Sequence, residues 1–206
     1  MVPVLGRPHR VLPLLESAER ATPDALVLFV ADPDDGPQLE ALEVNGAEFI
    51  SPGGTYAEKI NRAVRETDTP LVFTGADDIT FVPGWFERAK SYLTGDVQVV
   101  GVTDEVTERN RLGHHAPHFL MTREYALQPT IDGGQGPFCE GYGHMFVDDE
   151  FIGTARKRGV IHIASDVRVE HHHYLVGAEV DATYEKGRET RFKDGRLFKR
   201  RRRLWM

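Results

Sequence analysis

Two apolar runs, "ALVLFVA" at 25–31 and "PLVFT" at 70–74, contain no charged residue, and each runs into a cluster of acids, "DPDD" at 32–35 and "ADD" at 76–78. A run with no polar face suits a strand covered on both sides, as in a parallel sheet. Between the runs lie helical patterns. "RVLPLLESAERA" puts apolar residues at 11, 12, 14, 15 and 18 on one helix face, with Pro13 tolerable only near the first turn. "LEALEVNG" ends at Gly46, and "TYAEKINRAVRET" opens on a Thr55 cap. With "VPVL" and "AEFI" as short strands, the order is β-α-β-α-β. That predicts an α/β domain with a mostly parallel central sheet and helices on both faces. Ligands in such sheets bind beyond the carboxyl ends of the strands, so both acid turns should share one cleft.

The adjacent carboxylates Asp77 and Asp78 repel each other and resist burial unless a positive group sits beside them. A metal ion, an arginine or a helix N-terminus would serve. Further on, "GWFERAKSYL" reads as a helix and "VQVVGV" as a strand. "TDEVTERNRLGHHAPH" reads as a polar loop over the cleft, "HFLMT" as a strand and "MFVDDEFIGTARKRG" as a helix ending at Gly159. "VIHIASDVRVEHHHY" supplies the last strand or two and a histidine run.

The chain has 206 residues, enough for one domain with a sizeable core. No apolar run approaches a membrane span, and the N-terminus lacks the apolar stretch of a signal peptide. Cys139 is the single cysteine, so no intrachain disulfide forms. A cytoplasmic location is the expectation. The net charge of −7 divides unevenly: residues 186–206 hold ten Lys/Arg against two Asp/Glu. The expected division is therefore a body at 1–185 and a basic tail at 186–206. That tail is either solvated or a contact for nucleic acid or an anionic surface.

Three clusters carry candidate chemistry: Asp77/Asp78, Asp148/Asp149/Glu150 and His171/His172/His173. Carboxylates with one or two imidazoles suit Mg²⁺ or Mn²⁺ better than a structural zinc. Each cluster also has a purely structural reading: a capped turn, the acid-rich first turn of a helix, or an exposed strand end.

"VPVLGRP", "VADPDD", "TPLVFTGADDITFVPGWFERA" and "FVDDEFIGTARKRG", in this order and spacing, resemble nucleotide-sugar glycosyltransferases of the A-type fold, close to the family 2 group. The resemblance spans about residues 2–185. It implies a Rossmann-like catalytic domain, an NDP-sugar donor of UDP or GDP type, Mn²⁺ or Mg²⁺, and transfer to an acceptor hydroxyl with inversion. The acceptor is open: a glycan, a protein, a small molecule or a modified DNA base. Carried over residue by residue, the donor nucleotide side takes Asp32, Asp34 and Asp35, with Lys59, Asn61 and Asp77. The metal takes Asp77 and Asp78, then His173 or His171, which alternation puts on one strand face. Asp148 matches the general base, with Asp149 and Glu150 beside it. Tyr142 and His144 fall on the acceptor side. The chain departs from the family at Gly75, where the motif's first aspartate stands, at Val147 in place of a glutamate, and at Thr154 in place of an arginine. Three rivals remain: a non-catalytic nucleotide-sugar-binding relative, a sugar nucleotidyltransferase, and a metal-dependent hydrolase using the histidine run. The second lacks a glycine-rich basic loop after the first strand, and the third lacks a second ligand motif near the N-terminus.

Overall fold

Residues 1–206 are described by a computed structural model. The first half folds as its pattern predicts: β1 (Val2–Pro3), α1 (Val11–Ala21), β2 (Leu28–Val30), α2 (Gly36–Val44), β3 (Glu48–Ile50), α3 (Tyr56–Glu66) and β4 (Leu71–Thr74). Pro13 sits in the first turn of α1, where it breaks no helical bond. Thr55 and Glu58 form a reciprocal capping box at the start of α3. The chain continues through β5 (Ile79–Phe81), α4 (Trp85–Ser91), β6 (Val99–Thr103), α5 (Glu108–Arg111), β7 (His118–Thr122), α6 (Arg123–Ala126), α7 (Val147–Lys157), β8 (Ile161–His171), α8 (Ala182–Glu189) and α9 (Arg191–Arg201).

Strands β1, β2 and β3 pair in parallel, and a second set runs β4-β7-β6-β8-β5. Met1 joins the two. Its amine donates to Phe73 O at 2.8 Å, and its carbonyl accepts from Gly75 N at 2.9 Å. The sheet is less parallel than expected. β7 runs antiparallel between β4 and β6, and β5 pairs antiparallel with β8, while β6 and β8 are parallel. An apolar run such as "HFLMT" specifies burial on both faces but not direction, so this reversal is invisible in the pattern.

Strand alternation divides the core. Val100, Val102 and Leu120 face α1, α2 and α4, whereas Val99, Phe119 and Met121 face α3, α6 and α7. Gly101 is required on β6, because a Cβ there would lie 2.6 Å from Ile163 Cδ1 and 2.8 Å from Ala116 Cβ. β8 slips register after Ala164, so that Thr103 sits opposite Arg168, and its far end pairs His171 with Ile79. That irregularity carries His171 to the end of β4, beside Asp78.

The segment expected as a tail is helical and docked. Its apolar residues bind it: Phe198 stacks on Phe146 at 5.1 Å, and Trp205 lies where a Cβ on Gly153 would be, at 2.2 Å. Arg201 forms ion pairs with Glu150 and Asp132. No helix is long and apolar enough to cross a membrane.

Candidate functional site

The carboxyl edge of the sheet gathers the acids expected there. After β4, Asp77 and Asp78 are 6% and 3% exposed. The positive group beside them is Arg7, from the turn after β1. Its Nη1 lies 2.7 Å from Asp77 Oδ1 and 3.0 Å from Asp78 Oδ2, and its Nε and Nη2 hold both oxygens of Asp181 at 2.7 and 3.0 Å. The guanidinium also lies 4.5 Å from the centre of the Tyr184 ring. Asp78 accepts from Tyr184 Oη at 2.5 Å and meets His171 Nε2 at 3.1 Å.

The two neighbours are therefore in different electrostatic states. Burial pushes Asp78 up, but His171, Tyr184 and Arg7 outweigh it and hold its pKa well below the usual range. For Asp77 burial wins over Arg7, and the pKa rises to about 6. Its Oδ2 makes no protein hydrogen bond, so Asp77 is the carboxylate short of positive charge. Gly75, where the family motif has aspartate, would direct a side chain among Ile79, Phe73 and Val2; an ionised group there would be buried in apolar surroundings.

The expected histidine ligands are engaged. His171 Nδ1 is 2.7 Å from Asp104 Oδ2 while Nε2 faces Asp78. Burial lowers its pKa, but these two carboxylates more than compensate and raise it to about 9. His173 Nδ1 accepts from Leu175 N at 3.1 Å. His172 points the other way, to Thr80 Oγ1, as alternation requires.

On the nucleotide side, Asp32 pairs with the buried Lys59 at 3.2 Å, and Lys59 also donates to Val4 O. Asp34 is exposed. Asp35 caps α2 and accepts from Gly6 N at 2.6 Å, which fixes the turn that carries Arg7. Asn61 is turned to other work. Its amide is bonded to Gln135, Phe138 and Glu140 and clamps that loop.

At the start of α7, Asp148 and Asp149 lie half-buried at the cleft. Asp148 Oδ1 accepts from Asp149 N, and Oδ2 is 3.2 Å from His115 Nε2, close but not aligned as a full hydrogen bond. Burial raises the Asp148 pKa, but His115 and the helix-start N–H groups outweigh it and keep the carboxylate ionised. Asp149 meets Arg109 at 3.2 Å. Glu150 does not face the cleft. It is 3% exposed, and its oxygens take Tyr142 Oη at 2.7 Å and a bidentate Arg201. Glu150 binds α7 to Arg201 of α9, and Tyr142, in the loop before α7, bonds to Glu150. His144 is exposed, with its ring edge-on to Tyr56 at 6.4 Å.

The docked basic segment also builds this corner. Asp194 is fully buried and accepts from the N–H groups of Gly143, His144 and Met145, each at 2.9 Å. Phe146, stacked on Phe198, takes a left-handed φ of 67° immediately before α7. Such strain persists only where surrounding packing enforces it, and it aims the first turn of α7 at the cleft.

Sequence reasoning missed the residues that join the two acid clusters. Within the expected polar loop, Asn110 Nδ2 donates to Asp104 Oδ1 at 2.6 Å, and Asn110 Oδ1 faces His115 Nδ1 at 3.2 Å. Asp78, His171, Asp104, Asn110, His115 and Asp148 thus form one polar chain. Arg7 stood in the quoted "VPVLGRP", and an arginine was among the positive groups expected beside Asp77 and Asp78. A cavity of about 740 Å³ opens at the opposite sheet edge, lined by Leu26, Trp85 and Leu93 among others. It is mostly apolar and holds none of these clusters.

No protein-family model matches this sequence, and no curated protein matches it. Solved structures do match in shape. Glucosyl-3-phosphoglycerate synthase from Mycobacterium tuberculosis, in complex with Mn²⁺, UDP and glucosyl-3-phosphoglycerate, superposes with a TM-score of 0.64 at 18% identity, over 97% of this chain and 77% of that one. The same enzyme with Mg²⁺ and UDP gives 0.63 at 17% identity, with the same coverage. A mannosyltransferase from Pyrobaculum calidifontis, in complex with GDP-Man and Mn²⁺, gives 0.67 at 16% identity, over 94% of this chain and 60% of that one. This chain has the A-type fold of these nucleotide-sugar glycosyltransferases.

Proposed function

We propose that this chain is a glycosyltransferase moving a sugar from a nucleotide-diphosphate sugar to an acceptor hydroxyl. The observation that carries the reading is Asp77: a buried carboxylate at the strand edge, short of positive charge, with one oxygen free. One such oxygen suits Mn²⁺ or Mg²⁺, hard ions that take most of their shell from phosphates and water. Asp78, His171 and His173 keep their hydrogen bonds in this arrangement. A bound ion would supply positive charge to the leaving diphosphate.

The remaining work falls to the chain's own residues. Lys59, Asp32 and Asp34 line the nucleotide side. Arg7, held by three carboxylates, fixes Asp77 and Asp78 in place, so that little reorganisation is needed when an ion and a diphosphate bind. Asp148 accepts the proton of the acceptor hydroxyl as that oxygen bonds to the anomeric carbon and the bond to the diphosphate breaks, inverting the centre. A nucleic-acid acceptor would meet the exposed Lys199, Arg200, Arg202 and Arg203. A second reading, a non-catalytic binder of nucleotide sugars, draws on Gly75 and on Arg7 already occupying both aspartates.

A screen of UDP- and GDP-sugars with Mn²⁺, read by mass of the released nucleotide, separates the two. Turnover supports the enzyme. Donor binding without release supports the binder, and neither binding nor release removes both. With an active donor, Asp148→Asn is expected to retain donor binding and lose about 10²–10⁴ in transfer rate. Near-parental transfer would take Asp148 out of the base role.

A further inference from the structure

We infer that Asp104, His118 and His171 form a second cation site, beneath the cleft carboxylates and separate from Asp77, suited to a borderline divalent ion such as Co²⁺, Zn²⁺ or Mn²⁺. Topology brings the three together. Asp104 follows β6, His171 ends the parallel β8, and His118 opens the antiparallel β7, so all three stand at one edge of three neighbouring strands. One ligand atom from each lies within 4.8 Å of the others.

His118 is the independent observation. It is 3% exposed, and neither ring nitrogen has a hydrogen-bond partner. Burial outweighs the nearby Thr74 backbone and lowers the ring's pKa to about 4, and no aligned bond to that backbone forms. A buried polar group left unpaired costs about 1–3 kcal/mol, and few native groups stay so. A cation between His118 and its two neighbours removes that cost.

The supporting groups are already in place. Metal-ligating histidines usually donate their other N–H to a carboxylate; His171 offers Nδ1 to the site and holds Asp78 Oδ1 through Nε2 at 3.1 Å. Asp104 has Oδ1 fixed by Asn110 Nδ2 and Val106 N, leaving Oδ2 for an ion. The contact of 2.7 Å between Asp104 Oδ2 and His171 Nδ1 holds a proton that the ion would displace. Two imidazoles and one carboxylate favour a transition ion over Mg²⁺ or Ca²⁺. None of this rests on the glycosyltransferase reading.

The test is a Co²⁺ titration of the full chain after EDTA treatment, followed by visible absorption and calorimetry. One Co²⁺ per chain is expected. His118→Ala and the nearly isosteric Asp104→Asn should each weaken binding by about 100-fold or more, and Asn110→Ala by about 10–100-fold, with His172→Ala, whose ring meets Thr80 on the other strand face, unchanged. Circular dichroism melts establish that each variant is folded, and Asp104→Asn decides the matter if His118→Ala is not. Absence of Co²⁺ binding by the parent, parental binding by Asp104→Asn, or loss of binding in His172→Ala would each overturn the site. UDP and GDP titrations of the same proteins report separately on the donor cleft.

Discussion

Asp77 and Asp78 end a strand and are balanced by side chains from distant segments: Arg7 after β1, His171 at the end of β8 and Tyr184 on α8. Asp148 and Asp149 begin a helix and are balanced in part by their own backbone, with His115 and Arg109 adding charge from the side. The strand-end cluster exists only once the whole sheet is assembled. Much of the helix-start cluster follows from α7 itself, because a helix N-terminus favours carboxylates wherever it forms. Global stability should therefore depend on the first cluster far more than on the second.

Arg7→Met tests this most severely. Removing the one cation shared by Asp77, Asp78 and Asp181 leaves buried charge unpaired, which typically costs about 3–5 kcal/mol. Asp149→Asn, which breaks a pair with an exposed arginine, should cost under about 1 kcal/mol. Urea unfolding of both variants measures the difference; equal losses would mean that the strand-end cluster is no more dependent on tertiary structure than the helix start.

Within the strand-end cluster, the neighbours should respond with opposite sign. Asp78→Asn loses an anion bonded by His171, Tyr184 and Arg7, and is expected to cost on the order of 2–3 kcal/mol. Asp77 has a pKa raised by burial to about 6. Its contribution is full below the ordinary carboxylate range and is lost as pH rises through 6, so at pH 8 the ionised group is a burden. Asp77→Asn should then raise stability at pH 8 by on the order of 1–2 kcal/mol, while weakening Mn²⁺-dependent donor binding. Thermal melts at pH 8 check the sign, and destabilisation by Asp77→Asn would mean that Arg7 compensates both aspartates equally.

The same contrast explains what was legible in the sequence. Thr55 capping α3, Pro13 in the first turn of α1 and Gly159 after α7 are local rules, and each element formed where its pattern placed it. The meeting of both acid turns at one sheet edge followed from β-α-β order alone. Direction within the second half did not, because "HFLMT" looks the same run either way. Asn110 and His115 were unreadable as site residues because their roles depend on register slips and crossovers far away in the chain. The turning of Glu150 away from the cleft has a related cause. The first turn of a helix has several faces, and docking of α9 through Arg201 and Phe198 decided which face turned inward.

An effect in alkaline pH also separates the clusters. Burial alone would lower the His171 pKa, but Asp104 and Asp78 raise it from 6.5 to about 9. A raised pKa contributes stability that is fully present below 6.5 and lost as pH climbs through 9. Asp78 and Asp104 are depressed by the same contacts, so they remain ionised throughout this window and lose their share only in acid. His115 is raised by Asp148 in the same direction, opposed by burial, so the helix-start cluster adds a weaker slope of the same sign. Between pH 6.5 and 9 the chain should therefore lose on the order of 1–2 kcal/mol. His171→Gln should flatten most of that slope and His115→Gln less of it. Urea midpoints measured across the range give the comparison directly. A slope unchanged in His171→Gln would mean that the imidazole between the two carboxylates is neutral, and that Arg7 is the one cation of the strand-end cluster.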